Sequence, residues 1–168
     1  LIWSRSRMKG VETPELKEIN LYKQASISLG LLKGLADQKE ITIQNQINTG
    51  VTIKADPQHF DIIIRNILLN AIKFTHEKGQ INLFSKIEND QLAICIEDNG
   101  VGMNPEQINR LFQLKTHFTT PGTQKEKGTG LGLLICAEYA AANNWEIKVE
   151  SQMGKGTIFT TILAKTNK

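Results

Sequence analysis

The chain is short of the residues that build disulfide or zinc scaffolds. Its 168 residues contain only two cysteines, Cys95 and Cys136, far apart and each inside an apolar stretch. They read as small buried hydrophobes, and no zinc-ligand spacing accompanies them. Histidine is as scarce, at His59, His76 and His117. No apolar run approaches the about 20 residues of a membrane-spanning helix, and no secretory signal is visible. The net charge is only +3, too small to argue for nucleic acid as a partner. The phosphate loop ending in Gly-Lys-Ser/Thr is absent. No repeat or low-complexity stretch appears. Leu1 reads as a cut within a longer chain, and the piece is expected to be monomeric.

Hydrophobic residues make up 40% and charged residues 22%, as expected of an ordinary globular domain with one sizeable core. Residues 1–8 have the look of the end of an amphipathic helix, and 9–18 read as a linker around Gly10 and Pro14. Asn20 can cap a helix to about Gln38, with Ile27, Leu31 and Leu35 on one stripe. Strands are predicted at 41–47 and 51–54. Asp56-Pro57 opens a helix to about Phe74, cap followed by first-turn proline. Residues 80–87 and 91–97 form a hairpin across Glu88-Asn89-Asp90, and Asn104-Pro105-Glu106-Gln107 is a capping box. A helix over 130–143 and strands at 145–150 and 157–163 complete the chain. The mixture predicts an α/β fold, a two-layer sandwich with helices on one face of a mixed, mostly antiparallel sheet. The stretch 113–127 has no periodicity, and a loop of that length is usually functional.

Four segments carry chemistry. On the helix that ends at Phe74, Asn66, Asn70 and Lys73 fall within about 60° of one another. Amide oxygens can ligate a hard cation, and an ammonium meets phosphate as a point charge. A solvated polar face would give the same stripe. Asp98 ends a strand before Asn99-Gly100-Val101-Gly102. Its carboxylate can accept a hydrogen bond from the exocyclic amine of adenine, where guanine presents a carbonyl. Two glycines let the backbone pass closely, although Asp-Asn-Gly is also a common turn. Met103, Ile108 and Phe112 can wall an apolar pocket. Gly128-Thr129-Gly130-Leu131-Gly132-Leu133 lies where a loop becomes a helix, and a helix N-terminus favours polyphosphate. A tight helix–sheet contact would also need such glycines.

Taken in this order over roughly Asn20 to Ala164, the segments resemble the nucleotide site of sensor histidine kinases. That family shares its Bergerat-type ATP-binding fold with gyrase, a heat-shock chaperone and the MutL repair proteins. The resemblance implies that Asn66, Asn70 and Lys73 form the N box, with Asn70 on Mg²⁺ and Asn66 and Lys73 assisting catalysis. It implies that Asp98, Gly100 and Gly102 form the first glycine box, with Thr157 supporting Asp98 through water. It makes Gly128, Thr129, Gly130, Leu131 and Gly132 the second glycine box, with an ATP lid before it. Lys115, His117, Lys125 and Lys127 are then the lid's basic residues; the arginine that many members carry there is missing. Hydrolytic relatives have a glutamate base where Asn66 stands. An amide cannot take a proton at neutral pH.

The resemblance therefore implies a protein histidine kinase domain that binds Mg²⁺-ATP. Its γ-phosphoryl would go to a histidine on a dimerisation domain outside this chain, with a response regulator downstream. Residues 1–19 would be the tail of the dimerisation helix and a linker, and 20–168 the ATP-binding catalytic domain. The location would be the cytoplasm, or the cytoplasmic part of a membrane-bound sensor. A related-fold ATPase and a non-catalytic nucleotide-binding scaffold remain the alternatives. His76-Glu77 is in the wrong context for a phosphoacceptor, and His59 reads as a surface side chain.

Overall fold

The computed structural model describes residues 10–111, 120–128 and 130–163. The chain runs β1 (Lys17–Asn20), α1 (Leu21–Gln38), β2 (Thr42–Asn45), β3 (Thr52–Ala55), α2 (Pro57–Phe74), β4 (Gln80–Glu88) and β5 (Gln91–Asp98). It continues with α3 (Pro105–Leu111), α4 (Gly132–Ala142), β6 (Glu146–Gln152) and β7 (Gly156–Ile162). Five strands form one sheet in the order β2-β4-β5-β7-β6, parallel only between β2 and β4. β1 and β3 form a separate antiparallel pair. Lys17 and Glu18, inside the stretch that reads as linker, thus belong to a strand. Lys-Glu-Ile-Asn has no alternating pattern of its own, and pairing with β3 makes it a strand.

Local chemistry sets the helix starts. Asn20 Oδ1 accepts from Lys23 N at 3.0 Å, and Asp56 Oδ1 accepts from Gln58 N at 2.9 Å, with Pro57 following as first helical residue. At the start of α3, Asn104 Oδ1 accepts from Gln107 N at 2.8 Å while Gln107 Oε1 accepts from Asn104 N at 2.9 Å. Each such cap satisfies a helix-end donor and contributes about 1 kcal/mol. The β4–β5 hairpin turns on Asn89 and Asp90, both at positive φ, as a two-residue turn requires.

The helices α1, α2 and α4 lie on one face of the sheet, α1 toward β2, α2 over β5 and α4 toward β6. Alternation along β5 sends Ile94 and Ile96 to that face, opposite Leu83 on β4 and Phe159 on β7. They meet Ile63, Ile64, Ile67 and Leu68 of α2, each 1% exposed or less. Full burial of such a side chain contributes about 1.5–3 kcal/mol, and four of them fix α2 to the sheet. Cys95 and Cys136 are free thiols and buried. Among the described residues no helix is long and apolar enough to cross a membrane.

Two expectations are corrected. Ile27, Leu31 and Leu35 do share a stripe of α1, but that stripe is exposed. The face of α1 toward α2 is instead Leu21, Ala25, Ser28, Leu32 and Ala36, where small residues allow close approach of the two helices. His59 is buried rather than on the surface. Its Nδ1 pairs with Asn143 Nδ2 at 3.0 Å, and its ring meets Tyr139 edge-on at 4.7 Å. It joins the start of α2 to the end of α4, a contact invisible to helix periodicity.

Candidate functional site: a cleft at the C-terminal end of α2

Parity places Asp98. It is two residues beyond Ile96 on β5, so it faces the helices, opposite Thr157 on β7. The strand ends there, and the helix layer leaves a cavity of ≈ 650 Å³ in front of it. Asn66, Asn70 and Lys73 of α2 line that cavity together with Asp98, Gly102, Met103, Gly128, Gly130, Gly132 and Thr157. Gly100, Ile108 and Leu131 are not on its wall. Ile108 packs against the core instead. Phe112, Lys115, His117 and Thr129 lie outside the described residues, as do residues 1–8 of the expected helix tail.

Asp98 is only 7% exposed. Its Oδ1 accepts from Gly100 N at 2.9 Å, and Thr157 N also donates to the carboxylate. Burial nonetheless dominates and pushes its pKa from 3.8 up to about 6. Thr157 Oγ1 shares a hydrogen with Ser151 Oγ at 2.7 Å, and Ser151 Oγ accepts from Met103 N at 2.8 Å. The loop after Asp98 is thereby tied to the β6–β7 hairpin.

The glycines of that loop answer to protein backbone. A Cβ on Gly100 would lie 2.1 Å from Phe74 O, and one on Gly102 would lie 1.9 Å from Gln152 O. Gly102 also has φ +67, a region that favours glycine. Val101 N donates to Phe74 O at 3.0 Å, while Gly154 N donates to Val101 O at 2.8 Å. The loop is therefore clamped between the end of α2 and the hairpin.

The opposite wall is formed by the segments 120–128 and 130–132. A Cβ on Gly132 would lie 3.0 Å from Asn66 Oδ1, and one on Gly128 would lie 2.5 Å from Lys73 Nζ. The glycine-rich turn and the polar stripe of α2 are thus in contact. Asn66 Nδ2 donates to Ile62 O at 2.7 Å, which leaves its Oδ1 turned to Gly132. Burial lowers the pKa of Lys73, against the pull of the nearby Glu126 carboxylate. Helix α4 begins at Gly132 behind Leu131, whose side chain has no oxygen to cap it. Its first turn, Gly132 to Leu134, opens on the cavity.

Several lining residues escape sequence reasoning. Val101, Gln107 and Arg110 line the cavity, as do Lys39, Gln38 and Leu35 from the end of α1. Arg110, on α3, brings a guanidinium to the cavity wall; the capping box that places α3 was the available signal for it. Nothing in the sequence announces Lys39. Lys127 lines the cavity, whereas Lys125 does not.

A buried carboxylate at a strand end, a polar helix stripe and a glycine turn before an open helix start define a nucleotide-binding α/β sandwich. The family model described as "Histidine kinase-, DNA gyrase B-, and HSP90-like ATPase" matches residues 55–167. The circadian input-output histidine kinase CikA of Synechocystis sp. is 31% identical over 154 residues, 90% of this chain and 20% of that protein. This chain thus spans about a fifth of that relative's length. The nucleotide-free catalytic domain of histidine kinase ThkA superposes with a TM-score of 0.76 at 25% identity, over 90% of this chain and 96% of that one. Full-length ShkA in complex with AMPPNP gives 0.77 at 25% identity, over 93% of this chain and 33% of that one. The chain belongs to the histidine kinase-, DNA gyrase B- and HSP90-like ATPases, and it is similar to the catalytic domains of sensor histidine kinases.

Proposed function

We propose that the cavity binds Mg²⁺-ATP with adenine at Asp98 and the phosphates between Asn66, Asn70, Lys73 and the Gly128–Gly132 turn. The γ-phosphoryl then leaves ADP for a ring nitrogen of a histidine on a dimerisation domain outside this chain. A response regulator receives it from there. Such transfer rests on positioning and charge neutralisation more than on covalent chemistry. The site lies on the cytoplasmic side, where ATP is supplied.

The observation that carries this reading is Asn66. Its amide stands beside the glycine turn and accepts no proton. The described carboxylates on the cavity wall are Asp98, at the far end, and Glu126, which is paired with Lys39 at 2.9 Å. Neither is a free base for water next to the phosphates. That favours transfer to an external acceptor over hydrolysis.

The donor set suits Mg²⁺ in company with the nucleotide. Among the described residues no group of three His, Cys, Asp or Glu could hold a metal. The amide oxygens of Asn70 and Asn66 remain, and Mg²⁺ commonly takes few protein ligands, completing its shell with water and phosphate oxygens. When bound, it would neutralise charge on the phosphates.

The test is a labelling experiment with γ-labelled ATP. Alone, the chain should bind ATP, release little phosphate and label itself little. Mixed with a histidine-containing dimerisation domain of the same protein, it should label that domain at an acid-labile site. Rapid phosphate release by the chain alone, or acid-labile label at His76, would sink the reading.

A further inference from the structure

An α-helix leaves its last four carbonyls without intrahelical partners. At the end of α2, Ala71 O accepts from Thr75 N at the cap, and the next three are taken up around the site. Phe74 O accepts from Val101 N in the Asp98 loop, and Lys73 O accepts from Thr123 N at 3.0 Å in the opposite wall. The remaining donor comes from Lys39, at the end of α1. Its Nζ lies 2.8 Å from Ile72 O, 3.2 Å from Lys73 O, 2.6 Å from Thr123 Oγ1 and 2.9 Å from Glu126 Oε1. The residue is 3% exposed. A cation is favoured at a helix C-terminus, and it completes the carbonyls that α2 cannot satisfy itself. Glu126 in turn accepts from Gln124 N at 2.9 Å, which holds the turn 122–126 in shape.

From this geometry we infer that Lys39 is a positioning residue for nucleotide binding: its buried ammonium fastens the end of α2 to the 120–128 wall. That wall carries Gly128 against Lys73, and Lys39 shares its attachment to α2 with Thr123, whose N donates to Lys73 O and whose Oγ1 donates to Thr75 O, each at 3.0 Å. The Asp98 end does not lean on Lys39; Gly100, Thr157 and Ser151 hold it through separate bonds. The inference rests on the assignment of the two ends made above. Its consequence is selective. Loss of the Lys39 ammonium weakens binding of the triphosphate and leaves binding of the nucleoside alone unchanged.

The experiment titrates the chain calorimetrically with ATP plus Mg²⁺ and, separately, with adenosine. Lys39→Met should lose about tenfold for ATP and less than twofold for adenosine, with thermal unfolding followed in parallel. A merely structural role would reduce both ligands together or neither. Removing one partner of a buried ion pair is costly, so Glu126→Ala, at the more exposed side of the same contact, is measured as well. It should show the same split with a smaller loss. Equal losses for both ligands, or undiminished ATP affinity in either folded variant, would overturn the inference. If unmodified chain bound neither ligand, the nucleotide reading itself would fall. If it bound both and the variants matched it, only the role of Lys39 would.

Discussion

At the Asp98 end of the cavity backbone grips backbone, whereas at the Lys73 end side chains do the holding. The loop 99–102 is pinned by Val101 N to Phe74 O and by Gly154 N to Val101 O, with no room for a Cβ at Gly100 or Gly102. The wall 120–128 leans on Lys39, Thr123 and Glu126, all of them side-chain bonds except Thr123 N to Lys73 O. Main-chain contacts between packed elements have one arrangement. Contacts made by long charged side chains can be exchanged for a ligand's charges. A rigid end suits reading the shape and donors of a base, and an adjustable end suits gathering phosphates and a metal.

The largest effect should come from breaking the rigid end. Gly102→Ala would set a Cβ 1.9 Å from Gln152 O at φ +67, where neither backbone can give way cheaply. Strain of this kind costs about 3 kcal/mol or more, and urea unfolding should show it. Gly128→Ala is the contrast, because its Cβ would come too close only to Lys73 Nζ, at 2.5 Å, the far end of a flexible side chain. It should leave stability within about 0.5 kcal/mol while displacing the lysine and weakening ATP. Equal destabilisation by the two substitutions would remove the distinction between the ends.

Next in size is Asp98→Ala. A hydrogen bond to a charged group is worth about 1.5–3 kcal/mol, which is about a 10- to 150-fold change in affinity. ATP should weaken by that factor and lose its preference over GTP. An adenine derivative without the amine should bind the unmodified chain poorly and lose less on substitution. If the protein and ligand changes simply add, Asp98 does not touch the amine.

How much of this was legible in sequence follows from the same division. The elements with local signals were readable: capped starts for α1, α2 and α3, the Asn89-Asp90 hairpin, and the 3.6-residue polar stripe of Asn66, Asn70 and Lys73. Asp98 and its glycines were readable as a motif, but their reason was not. The glycines' close approaches are to Phe74 and Gln152, which lie 26 and 50 residues from Gly100 and Gly102 respectively, by the numbering itself. The exposed face of α1 was not readable, because leucine occupies both of its sides, Leu21 and Leu32 within and Leu31 and Leu35 without. Lys39 and His59 were not readable either. A single buried polar residue gives no periodic signal, and only the packing of a third element shows what it touches.

A smaller effect, and one with a sign to check, is the pH dependence of the Asp98 end. Its pKa, raised to about 6 by burial, means that the carboxyl takes a proton as pH falls from 7 to 5. ATP affinity should then drop by up to about tenfold per unit below the pKa, since the charged acceptor is lost. Stability of the empty domain moves the other way. The raised pKa contributes stability that is fully present below 3.8 and is lost as pH rises through about 6. Asp98→Asn should flatten both curves. ATP affinity that is flat between pH 7 and 5 in unmodified chain would show that the carboxylate is already ionised or is not in the contact.

The smallest expected effect probes the adjustable end at Asn70. One amide oxygen is a modest share of a Mg²⁺ shell otherwise filled by water and phosphate oxygens. Asn70→Ala should therefore cost about 1 kcal/mol, or about fivefold in affinity, and only when Mg²⁺ is present. Calorimetric titration of ATP with Mg²⁺ and again with a chelator separates the two cases. Asn70 lines the cavity, half-buried and outside the buried run Ile67, Leu68 and Ala71, so unfolding should change little. Adenosine, which carries no phosphate for the metal, should bind the variant as it binds the unmodified chain. If the loss persisted in chelator, Asn70 would be touching the nucleotide itself. If no loss appeared in Mg²⁺, the metal would be held by Asn66 alone, and the polar stripe would end one turn earlier than proposed.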